Sequence, residues 1–256
     1  MQKTSLSNIV RFVVQNPQRL PLLINKIWTR IKEKGVQTDM IWIQSHEIDF
    51  SNWAGALDSL LWNEAQLFAD ELKSKAFHKL SKLNVSVGGG GIYPILYFIT
   101  RYYQPGTIVE TGVAAGYSSQ AFLSAISKND KGKLYSSDFP YFRLKNPEAY
   151  IGILVDEHLK YNWQLYTEGD EKNLPLILKQ INRVDFFHYD SDKSLKGRQF
   201  AWNLIVKRLH EGSILVFDDI QDNNYFKNFV ENHTCSFHVF RFQNKYAGFV
   251  HQLKLK

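Results

Sequence analysis

A glycine-bearing turn and a set of carboxylates are the parts of this sequence whose types and spacing can do chemistry. An apolar run from Ile108 to Glu110 enters a turn holding Gly112 and Gly116, with Val113, Ala114 and Ala115 between them, and Tyr117, Ser118 and Ser119 open the helix that follows. Glycine lets a backbone approach a ligand closely, because it has no Cβ and tolerates unusual dihedrals. About twenty residues on, a second short strand, Lys133–Ser137, ends at Asp138. A carboxylate there can accept hydrogen bonds from two ribose hydroxyls, as in nucleotide-binding α/β units. Together these point to a site for an adenosine-containing molecule, although the two glycines alone fit a structural turn equally well.

A second group of acids follows later strands. Asp190 comes after Val184–Tyr189, and Asp218 and Asp219 come after Ser213–Phe217. Parallel strands releasing carboxylates at their C-terminal ends can gather them around one cation, and oxygen ligands suit magnesium or another hard divalent ion. Without a cation such acids repel one another and raise at least one pKa; the competing reading is that they cap turns. Lys193 stands three residues after Asp190. An ammonium beside a bound cation has a lowered pKa, so a neutral amine could take a proton from a substrate hydroxyl. His188, which alternates away from Phe187 and Tyr189, is either a second candidate base or a core histidine. Asp192 is an alternative ligand if Asp190 turns inward.

The elements that must position these residues follow from periodicity. The spacing predicts strands at Thr107–Glu110, Lys133–Ser137, Trp163–Thr167, Val184–Tyr189, Ser213–Phe217, Phe237–Phe242 and Tyr246–His251, short and mostly apolar as buried parallel strands are. It predicts helices at Ser118–Ser127, Pro147–Leu159, Leu174–Ile181 and Lys196–Leu209 between them. The last two strands are close enough to form a hairpin. Upstream, helices are expected over residues 21–33, Asn63–Leu83 and Tyr93–Tyr103, with four glycines, Gly88–Gly91, before the last. The fold class is therefore α/β: a Rossmann-like, doubly wound sheet of seven strands with an antiparallel C-terminal hairpin strand, plus an N-terminal helical extension. A terminal hairpin and the absence of G-x-G-x-x-G spacing disfavour a dinucleotide site.

Composition narrows the class. With 44% hydrophobic and 22% charged residues, the 256-residue chain has the make-up of a globular protein. One cysteine, Cys235, excludes an internal disulfide framework and a cysteine-rich zinc site. No apolar run approaches the roughly 20 residues needed to span a bilayer, and no signal-like core opens the chain, which makes a cytoplasmic location the expectation. Residues 1–34 hold seven basic residues against Glu33, so this stretch carries the whole net charge of +6. Apolar Leu20, Leu22, Leu23, Ile24, Ile27, Trp28 and Ile31 lie among them. Such a segment either packs one face on the main domain or rests on an anionic membrane surface. No nucleic-acid partner is expected, since the charge accompanies no binding module.

At VETGVAAGYSS and FHYDSDKS…EGSILVFDDI the sequence resembles the class I S-adenosylmethionine-dependent methyltransferases. Within them it is similar to the small-molecule O-methyltransferases of the macrocin and catechol types. The resemblance covers residues 88–256, as a methyltransferase domain, and leaves residues 1–87 as a helical extension or cap. It implies S-adenosyl-L-methionine as cofactor, with Glu110, Gly112, Val113, Ala114 and Gly116 beside its methionine portion. It places Asp138 at the ribose and Asp170 near the adenine amine. Tyr117 would cover the cofactor by packing; Ser118 and Ser119 would either touch its carboxylate or cap their own helix. In the metal-dependent branch the resemblance assigns Asp190, Asp218 and Asp219 to a divalent cation such as magnesium, with Asp190 also bordering the cofactor. It assigns Lys193 to catalysis, with His188 as the other candidate.

The expected activity is methyl transfer to a hydroxyl of a small molecule, with a sugar or other polyhydroxylated metabolite favoured over an aromatic vicinal diol. A homo-oligomer is compatible with it. The alternatives are a metal-independent methyltransferase and a non-catalytic, cofactor-binding or membrane-peripheral protein of the same fold. Tyr141, Phe142, Trp163 and Tyr225 are candidate pocket walls.

Overall fold

Short runs of β-branched and aromatic residues assemble into one sheet in the computed structural model, which describes residues 6–24, 28, 38–83, 87–142 and 144–255. Its strands are β1 (Glu47–Ile48), β2 (Thr107–Thr111), β3 (Lys133–Ser137), β4 (Trp163–Tyr166), β5 (Phe186–Tyr189), β6 (Ile214–Phe217), β7 (Ser236–Phe242) and β8 (Lys245–His251). They lie in the order β1-β7-β8-β6-β5-β2-β3-β4. Neighbours pair in parallel except β8, which is antiparallel to both β6 and β7. The seven expected strands are present. The eighth, β1, pairs with Val239 and Phe240 at the sheet edge and is too short to leave a periodic signal. A two-residue loop closes the β7–β8 hairpin, with Gln243 and Asn244 both at positive φ (48° and 66°), the twist that such loops favour.

Alternation along the strands sorts the core into two layers. Ile108, Leu134, Phe186, Val216 and Phe249 face the helices Ser59–Leu80, Tyr93–Tyr103 and Tyr117–Asn129. Val109, Tyr135, Phe187, Leu215 and Val250 face Asp170–Gln180, Leu195–Ile205 and Tyr225–Asn232. Helices on both faces of a mainly parallel sheet make a doubly wound, Rossmann-like arrangement.

Some expectations change. Pro147–Leu159 is not a helix but two short 3-10 turns, Pro147–Tyr150 and Glu157–Asn162. Its backbone bonds go elsewhere: Gly152 N donates to Ala114 O and Leu154 N to Ala115 O, each at 2.9 Å. The segment therefore buttresses the glycine turn instead of winding on itself. Helices Phe50–Leu57 and Tyr225–Asn232 arise where no helix was expected. The first starts at an Asp49 cap that accepts from Asn52 N at 2.7 Å. Residues 20–24 are helical, and, apart from Trp28, the remainder of the helix expected over 21–33 lies outside the described residues. Phe12 and Leu23 pack inward while Val10, Val14, Ile24 and Trp28 stand exposed. Among the described residues no helix is long and apolar enough to cross a membrane.

The long helix Ser59–Leu80 buries Trp62, Ala65, Ala69, Leu72 and Ala76, a stripe at helical spacing. Glu64 ties it to its neighbours: it accepts from Tyr97 Oη at 2.6 Å and Arg101 Nε at 2.9 Å, with Lys128 at 3.3 Å. Burial alone would raise its pKa, but the Arg101, Tyr97 and Lys128 contacts together bring it down to about 2. A carboxylate depressed in the folded state stabilises above its unfolded pKa and loses that contribution as pH falls. Glu64→Gln is therefore expected to cost about 1 kcal/mol at pH 7, after discounting for solvent screening. Denaturation curves should show the difference shrinking from pH 4.5 toward pH 2 and vanishing below that.

Candidate active site

Strands β2, β3 and β4 run outward in one direction, and β5 then returns to the other side of β2. Ligands of open α/β sheets bind at such a reversal, outside the carboxyl ends of the strands. Ladder bonds carried one residue past the strand ends fix the residues that leave there. Asp138 N donates to Tyr166 O, Asp190 N to Thr111 O and Asp218 N to Tyr189 O, all at 2.9 Å. Three of the acids singled out in the sequence are thus delivered to one edge by backbone register.

The glycine turn lies against the end of β5. Gly112 has φ +82°, and a Cβ built on it would fall 2.3 Å from the carbonyl oxygen of Asp190. No other residue type fits that approach. Gly116, at φ +96°, precedes the helix Tyr117–Asn129, whose N-terminus has no side-chain cap. The first amides of that helix are available to an anionic group. Asp138 is half-buried beside the turn; its carboxylate accepts from Ala114 N at 2.9 Å and Phe139 N at 2.7 Å. Asp170 accepts from Ser137 Oγ at 2.6 Å and from Ser191 Oγ, which joins the ends of β3 and β5. Asn173, which sequence reasoning missed, donates to Ser137 Oγ at 2.9 Å, Tyr166 O at 3.0 Å and Asp138 O at 3.2 Å. The sequence offered only an Asn three residues after Asp170; that it is fully buried, and so must be hydrogen-bonded, emerges from the structure.

Glu110 is fully buried and accepts from Ser118 Oγ at 2.5 Å, Ser119 Oγ at 2.6 Å and Ser136 Oγ at 2.8 Å. The two serines therefore do not cap their helix, as one expectation had it; they fasten its first turn to β2. Val113 is buried, and Tyr117 packs on Tyr93 with ring centroids 5.4 Å apart. His188 is also fully buried, on the face of β5 that meets Phe122, with Nδ1 3.8 Å from Glu110 Oε1 and neither ring nitrogen hydrogen-bonded. It lies one residue inside the strand end, under cover of the helix layer. That placement removes it as the base for a substrate hydroxyl.

Asp190, Asp218 and Asp219 converge, each offering an oxygen within 4.8 Å of the others. Lys193 Nζ contacts Asp190 Oδ1 and stands 3.3 Å from Asp219 Oδ2; Lys245 Nζ, unforeseen in the sequence, is 2.9 Å from Asp219 Oδ1. Three carboxylates thus face two ammonium groups. Burial, reinforced by the Asp190 and Asp219 charges, raises the Asp218 pKa to about 7 despite Lys193. Burial would also raise Asp219, yet Lys193, Lys245 and Gln221 outweigh it and lower the pKa to about 2. Lys193 is pulled down by burial and pushed up further by the three aspartates, so its ammonium form is favoured here. Hard oxygen donors held around one unbalanced negative charge fit a divalent cation.

Arg198 braces this cluster from beneath. Its guanidinium, 1% exposed, donates to Asp218 O at 2.9 Å, Asp219 O at 3.0 Å and Lys193 O at 3.3 Å. The sequence signal was a charge standing on the stripe that also holds Ala201 and Ile205, both buried. The Gly88–Gly91 run forms the roof: a Cβ at Gly91 would lie 2.9 Å from Asp218 Oδ2, and one at Gly88 3.3 Å from the Tyr141 hydroxyl. Phe142 and Trp163 serve structure instead, packing on Phe12 and over Gly152, and Tyr225 is buried.

Residues 109–220 match a family model described as a methyltransferase domain. Several solved structures share the fold. The O-methyltransferase TomG of Streptomyces achromogenes, in complex with S-adenosylmethionine, is 17% identical over 70% of this chain and 86% of its own, with TM-score 0.52. An O-methyltransferase of Bacillus cereus, in complex with S-adenosylhomocysteine, is 15% identical over 81% of this chain and 97% of its own, at 0.51. The S-adenosylhomocysteine-bound methyltransferase PaMTH1 of Podospora anserina is 12% identical over 72% and 88%, at 0.53. No curated protein sequence matches the chain.

The tight turn gives a direct test. Gly112→Ala must both adopt positive φ and displace the Asp190 carbonyl. It is expected to lose about 3 kcal/mol of stability. Urea unfolding of the variant checks this, and a loss below the measurement error would contradict the close approach.

Proposed function

We propose that this chain, which carries a class I S-adenosylmethionine-dependent methyltransferase domain, moves a methyl group to a hydroxyl oxygen of a small molecule bearing neighbouring hydroxyls. The observation that carries this reading is the convergence of Asp190, Asp218 and Asp219 directly beside the Gly112 turn and Asp138. That the similar TomG and Bacillus cereus proteins are O-methyltransferases supports oxygen as acceptor. Residues 88–256 carry the chemistry; of the residues before them, β1 and the helix Ser59–Leu80 are built into the same sheet and core rather than set apart as a cap.

When bound, the donor supplies a sulfonium methyl, and transfer leaves S-adenosylhomocysteine. Asp138 accepts from the ribose hydroxyls and Asp170 borders the adenine amine. The uncapped amides of Tyr117, Ser118 and Ser119 face the carboxylate. Glu110 works at one remove, by holding Ser118 and Ser119 in place. Asp190, Asp218 and Asp219 would hold magnesium or another hard divalent ion, whose charge favours an ionised substrate hydroxyl. With a cation held there, its charge would offset the three carboxylates that keep Lys193 charged, and Lys193 would be the group placed to take the hydroxyl proton. Orientation of oxygen toward the methyl group supplies the rest of the acceleration. The exposed Val10, Val14, Ile24 and Trp28, in the basic N-terminal stretch, provide a surface for peripheral membrane contact.

One observation favours a second reading, a metal-independent methyltransferase: Lys193 and Lys245 already balance two of the three carboxylates. Titrating magnesium against a chelator, while following methyl transfer to polyhydroxylated acceptors, separates the two. In the metal-assisted reading transfer stops on chelation and returns with magnesium. Asp218→Asn is expected to slow transfer about 100-fold while leaving S-adenosylhomocysteine affinity within about twofold. Asp138→Ala should do the reverse, weakening that affinity at least about tenfold in calorimetry. A wild-type chain that transfers no methyl group to any hydroxylated acceptor, with divalent ions present, would end the proposal.

A further inference from the structure

Residues far outside the methyltransferase match converge on the adenosyl end of the site. Arg19, 5% exposed, ends a short 3-10 turn, Pro17–Arg19, after the helix Leu6–Gln15. Its guanidinium donates to Glu148 Oε1 at 2.9 Å through Nη1, and to Glu168 Oε1 at 3.1 Å through Nε, with Nη2 on Glu168 as well. It also lies over the rings of Phe12 and Phe139, 5.7 and 5.9 Å from their centroids. Phe12 meets Phe139 edge to face at 5.9 Å, and the Leu22 side chain occupies the space a Cβ on Gly169 would enter, at 2.6 Å.

Each partner stands beside a residue that the proposed function uses or on a segment that braces one. Phe139 follows Asp138, and its amide donates to the Asp138 carboxylate at 2.7 Å. Glu168 and Gly169 immediately precede Asp170, and Glu168 N donates to Asn173 Oδ1 at 3.1 Å. Glu148 opens the segment whose Gly152 and Leu154 amides bond the Ala114–Ala115 turn. Three separate loops around one subsite are therefore joined through a single guanidinium. Its planar fork suits this, because it can hold two carboxylates and stack on rings at once. A lysine supplies only a point charge.

We propose that Arg19 is a positioning residue for the adenosyl half of the donor, and that residues 6–24 form a strap completing that subsite. The inference rests on the methyltransferase reading and adds the N-terminal segment to its binding machinery. Arg19 touches neither donor nor acceptor; it fixes the 138–139 and 168–170 turns in the arrangement that Asp138 and Asp170 need.

Calorimetry on the full chain, with S-adenosylhomocysteine and with adenosine as probes, tests this. Arg19→Ala should weaken both probes by the same factor, about tenfold, the scale of one charge-assisted hydrogen-bond pair. Arg19→Lys should recover part of the loss. In turnover, KM for the methyl donor should rise while kcat and KM for the hydroxylated acceptor stay close to wild type. If Arg19→Ala does not fold, Glu168→Gln and Glu148→Gln, at the more exposed ends of the same contacts, should shift both probes in the same direction by less. Variants that melt earlier but bind both probes as wild type does would overturn the positioning role and leave the methyltransferase reading standing. A wild-type chain with no affinity for S-adenosylhomocysteine would overturn both.

Discussion

The approach of the Gly112 backbone to the carbonyl of Asp190, across the gap where strand order reverses, sets the geometry of everything around it. A Cβ there would push the end of β5 away from the end of β2. Asp190 would then lose its ladder bond to Thr111, and with it the position of the acid cluster relative to the glycine turn. Parallel pairing adds the second constraint. Because β2, β3, β5 and β6 point the same way, residues one step past their ends emerge on one edge, whatever their distance in sequence.

Charge is managed in two tiers. Groups that support the site are held internally: Glu110 by three hydroxyls, Arg198 through Nε and Nη2 by the backbone carbonyls of the residues it braces, with Nη1 left unpaired. Groups that form the site are left imbalanced, with three carboxylates sharing two ammonium groups. A buried carboxyl pushed up to about 7 beside another pulled down to about 2 shows how much those few ångströms of placement decide.

Elements outside the family match shape what the matched domain can hold. The Gly88–Gly91 run roofs the acids, Lys245 enters from the C-terminal hairpin, and the N-terminal strap reaches the turns beside Asp138 and Asp170. The matched residues 109–220 supply the turn and the carboxylates. Their surroundings come from both ends of the chain.

The strands were legible because buried parallel strands leave short apolar runs, and Gly112, Asp138, Asp190, Asp218 and Asp219 were legible because each stands where such a run stops. β1 was not, since two residues carry no period, nor was the fate of Pro147–Leu159, whose amides bond a turn more than thirty residues away. Ser118 and Ser119 were visible as helix-opening residues, but their bonds to Glu110 depend on how a helix folds back over a strand. His188 could be placed on a strand yet not judged exposed or covered until Phe122 lay against it. Residue types and strand ends, which are local, were determined by the sequence itself. Only tertiary structure decided the partners of Arg19, Lys245 and Arg198, because a long side chain reaches whatever distant group the packing brings within a few ångströms.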